Sequence, residues 1–281
     1  MLGDDHLVLR NDRSVLGGSE IDVLVPDLHL GFEYNGLHWH ACHRPEDVSR
    51  HEDKTRLAAD HGIRLMTIWE DDWLDHRTIV EDHLTTLLRP DLLRPLNARS
   101  YVVVIPDRDT ARSFLRVNHI QGAPTGCVFM ALARKEDHDD LAAVIAYRVH
   151  DGEMRLVRYA ALLGCRLRGG LSRLLHHAIV AGDIDHVITF SDNSVSDGSM
   201  YRRLGFYQDA VLPADYAYII GKQRQHKFTY RKRRFRDDPD LIFVEGLTEQ
   251  ALAELNGLER IYDCGKIRWR FDVHRASHES N

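Results

Sequence analysis

The sequence predicts an α/β protein built from two domains. These are an α/β/α sandwich over residues 1–95 and a mixed-sheet α+β domain over 100–222, with a basic extension over 223–281. Three observations predict it. Apolar and polar residues alternate over 20–25 and 29–34, describing a two-stranded ribbon that two helical stretches and a short apolar run then follow. Two prolines and an asparagine break the helical pattern at "RPDLLRPLNARS" (89–100). Beyond that break strands outnumber helices, and a glycine-rich loop leads into a helix at Gly169 and Gly170.

The ribbon carries acids where a strand ordinarily avoids them. Pro26-Asp27-Leu28 is its turn signal. A loop of Asp27 and Leu28 sets partners that sum to 55, so Asp22 faces Glu33 and Glu20 faces Asn35. Facing Cβ atoms lie roughly 5 Å apart, and like charges there repel. A hard cation relieves that repulsion, since Mg²⁺ typically uses one or two carboxylates plus water and phosphate oxygens. Asn35-Gly36 then marks a tight turn, with His38, Trp39, His40, Cys42 and His43 clustered after it. "EDVSRHEDKTRLAADH" (46–61) reads as a helix on which His51 and Lys54 share a face. "IRLMTIWEDDW" (63–73) reads as a buried strand and "DHRTIVEDHLTTLLRP" as a closing helix. Acids for a metal, with a lysine or histidine beside them, suit phosphodiester hydrolysis.

The stretches Glu20-Ile21-Asp22, Glu33-Tyr34-Asn35-Gly36, Trp39-His40 and His51-Glu52-Asp53-Lys54 resemble the nuclease domain of phage homing endonucleases related to the very-short-patch repair endonucleases. These belong to the restriction-endonuclease-like PD-(D/E)xK fold, and the resemblance covers roughly residues 15–90. It implies Asp22 and Glu33 as Mg²⁺ (or Mn²⁺) ligands and His40 as a proton-transfer group. His51 and Lys54 would face the scissile phosphate, with Asn35 in the same motif and Trp39 against DNA bases. The repair enzymes place an acid on a helix before the first strand; the resemblance implies either that Glu20 takes that role here or that this is a shortened member. Their structural zinc is not expected: Leu37 occupies a ligand position, and His38, Cys42 and His43 do not have a standard zinc spacing.

Composition bounds the partners. The chain has 281 residues, 43% hydrophobic and 28% charged, with no apolar run long enough to span a bilayer, so a cytoplasmic protein without a membrane partner is expected. Four scattered cysteines without C-x-x-C pairs fit a reducing compartment. Net charge is −6, but residues 1–99 hold 19 acids against 11 bases, which leaves 24 acids and 26 bases over 100–281. The densest basic stretch, "KQRQHKFTYRKRRFR" (222–236), holds eight Lys and Arg and no acid. Lys227, Arg231, Lys232, Arg233 and Arg234 are therefore expected on the phosphates of double-stranded DNA.

In the second domain, "SYVVVIP", "CVFMALARK", "LAAVIAYRV", "EMRLVRYAALL" and "DHVITFSD" read as strands. "DRDTARSFLRVNHIQG" reads as a helix with Phe114, Leu115 and Val117 inward, and "LSRLLHHAIVAG" as another. The R-x-x-G at Arg166–Gly169 and "YRRLGF" resemble the acetyltransferase fold of the GNAT superfamily, over roughly 100–222, and its variants in phage DNA-modification proteins of the Mom type. That resemblance implies acyl-CoA held at Arg166, Gly169 and Gly170, Tyr201 as the acid, and Asp192 as a polar partner. Leu171 stands where the family carries Gly or Ala. The expectation for the whole chain is a Mg²⁺-dependent homing endonuclease, with a possible homodimer, whose GNAT-like half positions DNA. The alternatives are a DNA- or nucleobase-modifying acyltransferase with a degenerate nuclease half, or a DNA-binding protein without activity.

Overall fold

The computed structural model describes residues 6–42 and 44–273. Its first unit comprises β1 (Leu9–Leu16), β2 (Ser19–Val25), β3 (Leu30–Asn35), α1 (Arg50–Asp60), β4 (Arg64–Trp69), α2 (Glu70–Asp75) and α3 (Arg77–Leu88). The four strands pair in chain order. Hairpins make β1, β2 and β3 antiparallel, and the α1 crossover makes β4 parallel to β3. The ribbon has its expected register, with Val23 facing Phe32 and Val25 facing Leu30. It is covered on both sides. Leu16, Ile21, Leu24 and Leu65 pack with Ala58 of α1, while Val25, Leu30, Phe32 and Met66 pack with Leu84, Leu87 and Leu88 of α3. The sequence reading assigned no element before the ribbon; β1 fills that place.

The remainder runs β5 (Arg94–Asn97), β6 (Val102–Val104), α4 (Arg108–Asn118), β7 (Val128–Ala133), β8 (Leu141–His150), β9 (Glu153–Ala161), β10 (Cys165–Arg168), α5 (Gly170–Gly182), β11 (His186–Asp192), α6 (Ser199–Arg203) and β12 (Tyr207–Leu212). It closes with β13 (Tyr216–Ile220), β14 (Gln223–His226), α7 (Lys232–Asp237), α8 (Glu249–Leu255), β15 (Glu259–Tyr262) and β16 (Lys266–Asp272). A seven-stranded sheet has the order β12-β16-β11-β9-β8-β7-β6. Each neighbouring pair is antiparallel except β9 and β11, which run parallel because α5 carries the chain across.

Two helices cover the two faces. Asp107 caps α4 by accepting the Asp109 and Thr110 N–H groups, and Ala111 and Leu115 pack on Phe129, Val144 and Ala146. Val117, expected inward, is 64% exposed, because the buried stripe is 111, 115 and 118 and residue 117 lies off it. On the opposite face Leu171, Leu174 and Ala178 of α5 pack on Leu132, Ile145, Met154 and Leu156.

Two segments read as connections turn out to be strands. The break at 89–100 contains β5, which pairs in parallel with β10 ahead of α5. Residues 223–281, read as an extension, supply β16, which lies between β11 and β12 and pairs with β11 over seven residues. Trp269 explains this placement: it is 1% exposed, and its Nε1 donates to Ser191 Oγ at 2.8 Å. Between β12 and β16 the chain makes a three-stranded sheet, β14-β13-β15, with its own core of Tyr218, Tyr230, Phe235 and Leu252. The first unit is bound to both: Thr67 N donates to Ser194 O, Arg64 Nη2 to Val195 O, and Ala214 N to Glu52 Oε2.

Gly198 leaves room for that tryptophan. Its φ is +69°, and a Cβ there would sit 2.1 Å from Trp269 Cζ2. Gly198→Ala is expected to lower stability by at least about 1–3 kcal/mol through overpacking and backbone strain. A denaturant midpoint that does not move would refute it.

Candidate functional site

Two sites invite comparison with the sequence reading. In the first unit, Asp22, Glu33, Asn35, His40, His51 and Lys54 do converge. Glu33 is 6% exposed, accepts from Lys54 Nζ, and accepts the Asp22 N–H at 3.3 Å. Burial holds its carboxyl above the usual range, partly offset by Lys54. The Asp22 carboxylate takes the Tyr34 N–H at 2.8 Å. Asn35 Nδ2 meets His51 Nδ1 at 3.2 Å, and the His51 ring lies 5.1 Å from both His40 and Trp69. His40 Nδ1 accepts from Arg50 Nη2 at 2.8 Å. Glu20 stands apart, held by Arg13 at 2.7 Å, so it does not replace the missing acid. Trp39 is 80% exposed. Residue 43 of the considered zinc trio lies outside the described residues; Cys42 N donates to Arg260 O. Among the described residues no group of three His, Cys, Asp or Glu side chains is arranged to hold a metal ion.

The basic stretch is engaged with this chain's own acids. Lys227 Nζ lies 2.5 Å from Asp215, Arg231 pairs with Glu249 at 3.1 Å, Arg233 with Asp237 at 3.1 Å, and Arg234 with Asp238 at 3.7 Å. The Lys232 N–H donates to Glu249 at 3.2 Å. Its aromatics are partly interior: Tyr230 and Phe235 are buried, with Arg234 over the Tyr230 ring. Arg224 is committed to Asp71 at 2.8 Å and Asp72 at 2.6 Å beneath the first unit. The basic stretch is thus a folded segment whose exposed cations also pair with nearby acids.

The second site lies where β9 and β11 part. They pair at only three positions, the last being Ile188 with Arg155. Val157 is the extra residue of a bulge against β8, between the Ala146–Arg158 and Tyr147–Leu156 pairs. Thr189 then bridges the divergence, its Oγ1 lying 3.2 Å from Leu156 O and 3.4 Å from the Tyr201 hydroxyl. Burial raises the Tyr201 pKa, so the hydroxyl keeps its proton at neutral pH. Asp192, the expected partner of Tyr201, instead accepts the Ser194 N–H at 2.9 Å. Thr189 was missed, and as a β-branched residue in a strand it gave no signal. Arg158 was also missed, although it is a charge inside an otherwise apolar run.

The glycine-rich loop stands beside this cleft. Gly169 has φ +74° and precedes α5, whose first turn has no side-chain cap. A Cβ on Gly170 would lie 2.6 Å from the Tyr159 hydroxyl and 2.7 Å from Leu167 Cδ2. That hydroxyl takes the Leu171 N–H, and burial pushes the Tyr159 pKa up to about 12. Leu171 itself is turned into the core with Leu174 and so does not close the loop. Arg166 and Arg168 are exposed.

No family model matches the chain, and no curated protein does. Solved structures do. A Bacillus subtilis acetyltransferase in complex with CoA is 14% identical, covering 61% of this chain and 97% of its own, with a TM-score of 0.34. The ribosomal-protein-S18-alanine N-acetyltransferase of Escherichia coli is 14% identical, covering 61% and 93%, with a TM-score of 0.37. Nourseothricin acetyltransferase is 10% identical, covering 62% and 98%, with a TM-score of 0.35. The seven-stranded sheet and the helices on its two faces make this part of the chain a mixed α/β fold. The expected Mg²⁺-dependent endonuclease is corrected here: the solved structures that match are acetyltransferases, and no nuclease stands among them. No helix among the described residues is long and apolar enough to cross a membrane.

The convergent histidines have a consequence for stability. Burial, with Arg50 nearby, lowers His40 to about 4, and burial lowers His51 to about 3. Both lie below the unfolded value near 6.5. Between these limits the unfolded chain binds more protons, so stability is complete above about pH 6.5 and is lost as pH falls toward 4. The slope is at most about 1.4 kcal/mol per pH unit for each histidine. Thermal midpoints taken from pH 7 to 5 should fall, and His51→Gln should flatten the trend. An unchanged slope in that variant would exclude His51 as its source.

Proposed function

We propose that this chain is an acyl-CoA-dependent N-acyltransferase whose site is the cleft between β9 and β11. The observation that carries this is the parting of two parallel strands after three residue pairs, beside a helix whose first turn lacks a cap. Strands that part leave backbone N–H and C=O groups without ladder partners, and an extended amide chain can satisfy them. Tyr159 takes the Leu171 N–H, and the other first-turn N–H groups, which the Gly169 cap position leaves without a side-chain acceptor, offer a positive dipole end to phosphate. Gly169 and Gly170 keep that approach clear, because side chains there are excluded by backbone conformation or by Tyr159 and Leu167. These residues fit an acyl-CoA, with Arg166 and Arg168 near the phosphate end. Three of the matching solved structures are in complex with CoA or acetyl coenzyme A.

When bound, the group supplies a thioester whose acyl carbon an amine can attack. The chain's own part is to hold and orient. The Tyr201 hydroxyl, fixed by Thr189 and protonated at neutral pH, is a proton donor standing at the apex of the cleft. Leu156, Trp269 and Phe206 pack around it and limit water.

Acetyl-CoA binding to the full chain, measured by calorimetry, and thiol release in the presence of small amines test the proposal. Tyr201→Phe should lower kcat by about 10²-fold while acetyl-CoA affinity is kept. No acetyl-CoA binding by the unaltered protein would overturn the reading.

A further inference from the structure

Arg158 is a part-buried charge whose Nε is wholly enclosed, and it has no part in holding acyl-CoA or in proton transfer. It follows the bulged Val157, at the level where β9 has left β11. One Nη1 donates to the Val157 carbonyl at 2.8 Å, and Nε is buried with no acceptor. The ionisable groups acting on it are the Cys127 thiol, Arg148 and the Tyr201 hydroxyl, with no carboxylate among them. A guanidinium stays charged at every physiological pH. Burying such a charge without a counter-charge costs several kcal/mol, unless something else supplies one.

Its surroundings add donors rather than acceptors. His119, at the end of α4, is close enough to feel the Arg158 charge. Its Nδ1 accepts the Gln121 N–H at 3.1 Å, so the neutral ring carries its hydrogen on Nε2. Burial lowers its pKa to about 3, which keeps the ring neutral and that N–H available. The Cys127 thiol is turned to the Thr125 carbonyl at 3.5 Å. Arg112, two helical turns before His119 on α4, likewise leaves Nε buried and unpartnered.

We propose that the acyl acceptor is a small amine bearing an oxyanion, a carboxylate or a phosphate, which pairs with the Arg158 guanidinium beside Tyr201. This rests on the acyltransferase reading. The net transfer forms one C–N bond and breaks one C–S bond. The amine gives up one proton and the departing sulfur gains one.

The test uses the full chain, acetyl-CoA and three amines of similar size, β-alanine, O-phosphoethanolamine and ethanolamine, with thiol release as the readout. The anionic amines should exceed ethanolamine in kcat/KM by at least about tenfold. Whichever of the two leads identifies the anion as carboxylate or phosphate. Arg158→Gln should erase the preference with acetyl-CoA affinity unchanged, and Arg158→Lys should restore part of it. The lysine variant also guards against a fold that fails with the glutamine. Equal use of ethanolamine, an unaltered preference in Arg158→Gln, or neither turnover nor competition by either anionic amine overturns the inference. If acetyl-CoA binds and any of these results holds, the inference fails alone; if acetyl-CoA does not bind, the acyltransferase reading fails with it.

Discussion

The arrangement of the second unit depends on β9 and β11 being held apart. A parallel pair that continued past Ile188 and Arg155 would close the sheet and leave no cleft. Two features prevent that. The Val157 bulge turns β9 away, and the Thr189 hydroxyl takes the Leu156 carbonyl that a further ladder bond would have used. On its other side β11 is fixed by seven pairs with β16 and by Trp269, so it cannot follow β9. Tyr201, Arg158 and the start of α5 are arranged around the result.

β16 therefore links the distant parts of the chain. It is the last strand to be made, yet it lies next to the strand that forms one wall of the cleft. The segment ahead of it folds as a small sheet with its own core and grips the first unit through Arg224, which Asp71 and Asp72 hold between them. Removing one member of such a part-buried set costs about 3–5 kcal/mol. Cys264 and Thr67 meet at 3.6 Å in the same contact. The first unit is thus integral to the molecule. Its Glu33–Lys54 pair belongs to an interior in which a carboxylate is matched by an ammonium and two histidines are kept neutral.

The sequence by itself determined local structure where one periodicity dominates. The ribbon register came from alternation about Pro26–Leu28, and side chains of period two allow only one register with both faces covered. Between 102 and 203 the strands and helices followed from apolar runs separated by glycine and capped by residues such as Asp107, except β10, which reads as part of the glycine-rich loop. The convergence of Asp22, Glu33, Asn35, His51 and Lys54 was legible because a facing pair and a helical i, i+3 pair are local rules. What fills such a cluster is not local: of the two acids that suggest a metal, Glu33 is met by Lys54 and Asp22 by the Tyr34 N–H.

Tertiary structure alone decided the rest. Nothing in "KIRWRF" says that it enters a sheet some eighty residues earlier in the chain, because strand pairing over that separation is set by whichever apolar face remains uncovered. Two of the acids that meet the basic stretch, Asp215 and Glu249, lie well outside it in sequence and reach it only on folding. The parting of β9 and β11 was invisible for a similar reason. It comes from a bulge register and a single threonine, and a strand propensity cannot distinguish a paired backbone from one left open for a ligand.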